Sequence, residues 1–300
     1  MTTEHAADPV LRPEPGPNRN RIGAFLRLMR AENCVMAGCA TLVGAGTATA
    51  TAGSDPTGTS LTASVAAVML VLAFGNVVND VSDQEADGLG KSGRPLPSGQ
   101  VSVAQAASLA AILLVGALAV TALAAPRQLP FVAAMCVVAA LYSPHLKRTP
   151  LLGNAVFAAQ CGATLVFGAH AAGGVGRATM AAAVLVAVGI LSVEVAKTVE
   201  DHDADRRVGT RTIAHLVAVV HHRRLVGGFA AAYLVGWWVL WLTARDPLLF
   251  SLAAAPVVPL LAFALLDPGP SGEPPAARVP RFIVASKCLW PLALVAVTGL

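Results

Sequence analysis

Acidic residues at four-residue spacing follow two of the apolar segments of this chain. The amide residue Asn79 ends the first of these segments, and Asp83 and Asp87 follow it at the same spacing. Asp201 and Asp205 follow the second. Residues four apart stack on one face of a helix, where like charges repel each other unless a cation lies between them. Mg²⁺ prefers carboxylate oxygens and keeps its remaining positions for water or substrate phosphates, so the spacing predicts a magnesium site.

Basic residues accompany both acidic motifs. Lys91 and Arg94 follow the first motif, and Arg211 follows the second. Lys147 lies between the two motifs in the chain. Arg offers a planar fork of donors and Lys a point charge, and both suit the oxygens of a diphosphate. A cation or solute transporter is the alternative, but its acidic ligands should lie deep within the spans, whereas these lie at helix ends beside bases.

The composition is typical of an integral membrane protein. Of the 300 residues, 55% are hydrophobic and 13% are charged, against roughly 25% charged in soluble domains. We therefore expect an all-α fold, a polytopic membrane helical bundle of nine transmembrane helices over 31–300, after a cytosolic N-terminal tail at 1–30. The nine apolar segments run approximately over 32–52, 60–79, 102–124, 129–142, 151–172, 177–197, 223–244, 247–266 and 281–300.

The distribution of Lys and Arg orients the chain. With the N-terminus in the cytosol, only Arg127, Arg177 and Arg245 fall outside, and Lys287 lies within the ninth segment. Such an excess of basic residues is typical of cytosolic loops. The sequence thus predicts a multi-pass protein of the inner (plasma) membrane with both acidic motifs on the cytosolic side. Basic loops account for the formal charge of +4, so no nucleic-acid partner is expected.

The two acidic motifs also indicate an internal repeat. Each motif follows an even-numbered apolar segment, and the two segments are four apart in the chain. A parallel duplication of about four helices would bring both acidic ends to the same side of the membrane. The sequence therefore predicts that the two motifs meet there.

The motifs resemble the signatures of the UbiA superfamily of intramembrane prenyltransferases. Residues 79–87 with 94–99 are similar to its first signature, and residues 200–212 to its second. Residues 142–154 match the segment between them, and the likeness extends over roughly 25–215. The nine-helix expectation agrees with the fold of that family.

The resemblance implies a role for each matching residue. Two Mg²⁺ ions, bridged by the diphosphate of an isoprenyl substrate, would be bound by the oxygens of Asn79, Asp83, Asp87, Asp201 and Asp205. The phosphate oxygens would contact Lys91, Arg94, Lys147 and Arg211, and Tyr142 would lie near the allylic cation. Fixed cations and metal ions stabilise the negative charge that builds on a leaving diphosphate, and a dry apolar cavity protects the carbocation from water.

A narrower resemblance points to one subgroup. Residues 30–38 and 75–80 are similar to geranylgeranylglyceryl-phosphate geranylgeranyltransferases, which would place Asn33 at the cavity. Two positions depart from many relatives, since Thr198 stands where an acidic residue is common and Gln84 where a basic one is common. Glu194 and Lys197, just before the second motif, could pair with each other or join the site.

Two functions share the same metal motifs. In the leading hypothesis, a lipophilic acceptor attacks the allylic cation, so the chain is a prenyltransferase. The alternative is a UbiA-type terpene cyclase, in which the double bonds of the substrate itself trap the cation. The acceptor could carry a glycerol-phosphate backbone or an aromatic ring, and the sequence alone does not distinguish between them.

Overall fold

The computed structural model describes residues 21–48, 58–147, 149–200, 219–266 and 275–300. Within these ranges the regular secondary structure is entirely helical. The α-helices are α1 (Arg21–Met29), α2 (Ala31–Gly46), α3 (Gly58–Ser82), α4 (Gln84–Gly90), α5 (Val103–Ala124), α6 (Leu129–Leu141), α7 (Leu152–Ala171), α8 (Arg177–Glu200), α9 (Val219–Trp241), α10 (Pro247–Ser251), α11 (Val258–Leu266) and α12 (Pro275–Ala296). The expectation of an all-α bundle is confirmed for this part of the chain.

Seven helical segments among the described residues are long and apolar enough to cross a membrane. They are Gly58–Ser82, Val103–Ala124, Leu152–Ala171, Arg177–Glu200, His221–Trp241, Pro247–Leu266 and Arg278–Gly299. The other two predicted segments correspond to helices below that length, α2 with 16 residues and the apolar stretch Pro126–Leu141. Helix α1 falls within the predicted tail. The nine-span count and the four-helix repeat therefore stay predictions.

Glycines allow the helices around α7 to approach each other closely. A Cβ atom at Gly168 would lie 1.8 Å from the backbone oxygen of Thr41 in α2. A Cβ atom at Gly162 would lie 2.3 Å from the backbone oxygen of Ala183 in α8. Small residues let membrane helices pack backbone against backbone in this way. Helix α7 therefore packs closely between α2 and α8, and its N-terminal end lies beside the C-terminal part of α8.

The first acidic motif continues the helical path of α3. The helix ends at Ser82, but Asp83 N–H donates to Asn79 O at 2.9 Å and Asp87 N–H donates to Asp83 O at 2.9 Å. Lys91 N–H then donates to Asp87 O at 2.7 Å. Because each of these bonds joins residues four apart, Asn79, Asp83 and Asp87 lie on successive turns, as the spacing predicts.

The close approach at Gly168 gives a stability prediction. Gly168→Ala should lower the free energy of unfolding by about 3 kcal/mol, because the new methyl group overlaps a backbone oxygen that cannot rotate away. The matched control is Gly228→Ala in α9, where an added Cβ meets no atom within 4 Å. Thermal unfolding of both purified variants in detergent checks this, and equal melting temperatures would contradict the close contact.

Candidate active site

The first two ligands of the predicted metal site face the connection between α6 and α7. Asn79 Nδ2 donates to Asp83 Oδ2 at 3.0 Å, and Asn79 Oδ1 accepts from Ser143 Oγ at 3.0 Å. The same Asp83 oxygen forms an ion pair with Lys147 Nζ, although the two residues are 64 positions apart. The structure thus brings together a predicted metal ligand and a predicted phosphate ligand. Ser143 is a member of this group that the spacing of acids and bases could not identify.

The third ligand of the first motif faces the turn after α4. Arg94 Nη1 lies 2.5 Å from Asp87 Oδ2 and 3.5 Å from Asp80 Oδ1. Burial raises the pKa of Asp87, and the neighbouring Arg94 and Lys91 charges oppose that rise while Asp83 adds to it. Lys91 and Arg94, both predicted to bind phosphate, therefore lie at the predicted metal ligand Asp87.

Tyr142 begins a π turn that connects α6 to α7. The turn spans Tyr142–Leu146, and Lys147 N–H donates to Tyr142 O at 2.7 Å, five residues back. Pro144 within the turn has no N–H to give to an α-helical bond, which favours this wider geometry. The Tyr142 ring centroid is 6.0 Å from that of Phe157 in α7, and the next residue, Ser143, donates its hydroxyl hydrogen to the predicted metal ligand Asn79. The predicted neighbour of the allylic cation therefore lies beside the predicted metal ligand.

Glu194 and Lys197 pair with each other in α8. Their side chains form an ion pair, and Lys197 Nζ lies 5.7 Å from the ring centroid of Phe157. Asn154 Nδ2 donates to the backbone oxygen of Glu194 at 3.3 Å. The pair therefore packs against the beginning of α7, on the same side as Tyr142.

The two departures from the family pattern lie in different surroundings. Thr198 is buried, and its hydroxyl bonds to the backbone oxygen of Val195 at 2.8 Å and to His222 Nε2 at 3.1 Å. Thr198 therefore packs against α9. Gln84 is exposed, as is Asn33 in the first turn of α2.

The second acidic motif lies outside the described residues, and so do its members Asp201, Asp205 and Arg211. Within the described part of the chain, no group of three His, Cys, Asp or Glu side chains is arranged to hold a metal ion. The donor set of the first motif nevertheless suits magnesium, because Asn79, Asp83 and Asp87 offer hard oxygen atoms on successive turns. Asp83 contacts Lys147 and Asp87 contacts Arg94, and each of these basic side chains could instead contact a phosphate.

The sequence of the chain matches the UbiA prenyltransferase family over residues 39–284. It is 37% identical to a digeranylgeranylglyceryl phosphate synthase of Methanoculleus marisnigri over 216 residues, which cover 72% of this chain and 74% of that protein. It is 38% identical to the synthase of the same name from Halobacterium salinarum over 238 residues, covering 72% of this chain and 81% of that one.

Solved structures of low sequence identity share the fold. A structure described as giving insights into digeranylgeranylglyceryl phosphate synthase in membranes has a TM-score of 0.68 at 20% identity, covering 94% of this chain and 99% of that chain. A UbiA homologue from Archaeoglobus fulgidus bound to GPP and Mg²⁺ has a TM-score of 0.63 at 17% identity, covering 91% and 99%.

The Ser143 hydrogen bond gives a prediction about metal affinity. Ser143→Ala should weaken activation by Mg²⁺ about tenfold, because the hydroxyl orients the amide oxygen of Asn79 and such supporting bonds matter at metal sites. The matched control is Thr62→Ala, which removes an exposed hydroxyl that bonds to the backbone of Gly58, at the end of α3 opposite to the motif. Titrating activity with Mg²⁺ measures both, and an unchanged midpoint for Ser143→Ala would remove the serine from the site.

Proposed function

The chain belongs to the UbiA prenyltransferase family, and on that basis we propose that it transfers a geranylgeranyl group from its diphosphate to the hydroxyl of a glycerophosphate lipid such as geranylgeranylglyceryl phosphate. As a member of the family it is an enzyme that transfers a prenyl group from a prenyl diphosphate to an acceptor. The choice of donor and acceptor rests on one observation, the name shared by relatives that are 37% and 38% identical over 72% of this chain.

The donor diphosphate, in this proposal, binds at the first acidic motif together with the second. Asn79, Asp83 and Asp87 would hold magnesium with Asp201 and Asp205, and two ions would be bridged by the diphosphate. The Mg²⁺-bound structure of the A. fulgidus homologue, which shares the fold, supports metal dependence. Magnesium bound there would neutralise charge on the leaving diphosphate.

Side chains of this protein would stabilise the charges that develop as the donor ionises. Lys147 and Arg94 lie against Asp83 and Asp87, from which their charges can reach the phosphate oxygens as the allylic C–O bond breaks. Lys91 and Arg211 would add further contacts to the diphosphate. The face of the Tyr142 ring would stabilise the allylic cation, since an aromatic ring attracts positive charge.

Attack by the acceptor would complete the transfer. The diphosphate leaves with the electron pair of the broken C–O bond, the acceptor oxygen forms a new bond to the allylic carbon, and the released diphosphate takes up the hydroxyl proton. The apolar helices that surround the motif would keep water from the cation and accommodate the isoprenoid chain.

The proposed topology has nine spans and a cytosolic active site. Arg127 and Arg177 lie at the ends of helices opposite to Lys147 and Lys197, in keeping with an excess of basic residues on the cytosolic side. In this proposal the chain crosses the inner membrane from a cytosolic tail at 1–30, the integral domain covers 31–300, and its two four-helix halves bring the acidic motifs together.

A two-substrate assay tests the proposed reaction. Geranylgeranyl diphosphate with Mg²⁺ should remain largely unreacted, because no nucleophile is present, until geranylgeranylglyceryl phosphate is added. The diether product is then measured by mass spectrometry. A cyclic hydrocarbon or alcohol formed from the diphosphate alone would contradict the proposed transfer and support the terpene cyclase alternative.

Substitution of the first motif tests the metal site. Asp83→Ala should lower turnover at least about a thousandfold, because the variant loses charge at the point where diphosphate charge must be stabilised. The variant should still insert into the membrane, and its elution volume in size-exclusion chromatography should equal that of the wild type. Near-normal product formation by this variant would contradict the assignment of Asp83.

Lys147 should act mainly on donor binding. Lys147→Ala should raise the apparent KM for the prenyl diphosphate about tenfold or more, because a charge-assisted contact to phosphate is lost. Arg245→Ala, which removes an exposed cation after α9, is the matched control. Initial rates over a range of donor concentrations give both values, and an unchanged KM for Lys147→Ala would exclude this residue from the diphosphate site.

A further inference from the structure

A pocket of about 280 Å³ opens beside the first acidic motif, between α1, the start of α2 and the turn after α4. Three guanidinium groups and two carboxylates line it, so cations outnumber anions on its walls. The charged side chains of the lining are Arg27, Arg30, Glu32, Asp80 and Arg94. An excess of Arg in a concave site favours an anion with several oxygens, and phosphate is the group that the guanidinium fork matches best.

Arg30 is held in a backbone conformation that most residues avoid. Its φ of 52° and ψ of 61° place it in the left-handed region, at the break between α1 and α2. A residue with a side chain disfavours this conformation, because its Cβ atom lies too close to the following carbonyl oxygen. Asn76 holds the break in place, because its Nδ2 donates to Met29 O at 2.8 Å and its Oδ1 lies 3.4 Å from Arg30 Nη1. Such strain tends to be retained where it positions a functional group.

The strained conformation directs Arg30 into the pocket. Its Nη2 lies 2.6 Å from Asp80 Oδ1, and the Asp80 side chain is only 6% exposed. Arg94 approaches the same oxygen at 3.5 Å. Arg27 is exposed and donates to the side chain of Gln100. One buried carboxylate thus fixes two guanidinium groups, while the third stands at the rim.

The pocket adjoins the donor site and an apolar groove. Arg94 lines the pocket and also contacts Asp87 of the metal motif, so a group bound in the pocket lies next to the proposed diphosphate site. A groove of about 420 Å³ lies along α1 and the first turns of α5, and its walls include Phe25, Leu109 and Ile112. Helix α1 therefore borders both a cationic pocket and an apolar surface.

We propose that this pocket binds the phosphate of the acceptor and that the apolar groove receives its hydrocarbon chain. The inference rests on the proposed function and names the acceptor subsite. An amphiphile with a phosphate head and an isoprenoid chain matches the two surfaces in charge and polarity. Bound there, its hydroxyl would lie near the donor diphosphate, on the Arg94 side of the metal motif.

The test compares two acceptors, geranylgeranylglyceryl phosphate and the alcohol that lacks its phosphate. Arg27→Gln keeps a polar side chain that can donate to Gln100 but removes the charge, and Arg30→Lys keeps a charge but loses the guanidinium fork. Each variant should raise the KM for the phosphorylated acceptor about tenfold and leave the donor KM unaltered. The ratio of kcat/KM for the phosphorylated acceptor to kcat/KM for the alcohol should fall by the same factor. Arg21→Gln, also exposed on α1 and outside the pocket, is the matched control.

The outcomes separate this inference from the function on which it rests. A wild-type chain that transfers to neither acceptor would overturn the proposed function before any variant is compared. With an active wild type, a raised donor KM would assign the pocket to the donor diphosphate and overturn the inference. Equal losses with both acceptors, or none, would also overturn it. If Arg30→Lys fails to fold, Arg27→Gln decides the question alone, because its side chain is exposed and lies outside the ion pair with Asp80.

Discussion

The structure of the candidate site depends on the neutralisation of carboxylates at the end of a membrane helix. Asp83 and Asp87 stand on successive turns, so their charges repel each other and each needs a cation nearby. Lys147 and Arg94 supply those cations from different parts of the chain. The pair of Asp83 and Lys147 ties α3 to the connection between α6 and α7. The proposed binding site for metal and diphosphate would thereby be assembled from chain segments that are distant in sequence.

Local patterns made much of this site predictable. The four-residue spacing of the acids and the bases that follow them can be read directly from the sequence. The structure places Lys147 and Arg94, both predicted to bind phosphate, against Asp83 and Asp87. The apolar segments were located correctly where α-helices of ordinary length occur. Helix α2 ends at Gly46, before the predicted end of the first apolar segment at 52, because apolar composition does not define where a helix ends.

Contacts between distant segments could not be predicted in the same way. Nothing in the local sequence indicates that Asn76 bonds to the backbone of Met29, or that Arg30 adopts a left-handed conformation. The i,i+3 spacing of Glu194 and Lys197 allowed a pair, but only packing against α7 settled it. Thr198 was interpreted through its place in a motif, whereas its contact is with His222 of another helix. Such details depend on which helix faces which, and periodicity alone does not fix that.

The π turn after α6 determines where this connection presents its lysine. Its wide hydrogen bond joins Tyr142 to Lys147, whereas in an α-helix residues five apart would be rotated by about 140° around the axis. If the same residues formed a regular α-helix, Lys147 would turn away from Asp83, with which it forms an ion pair. The backbone geometry of a five-residue turn thus determines whether this cation reaches the acidic motif.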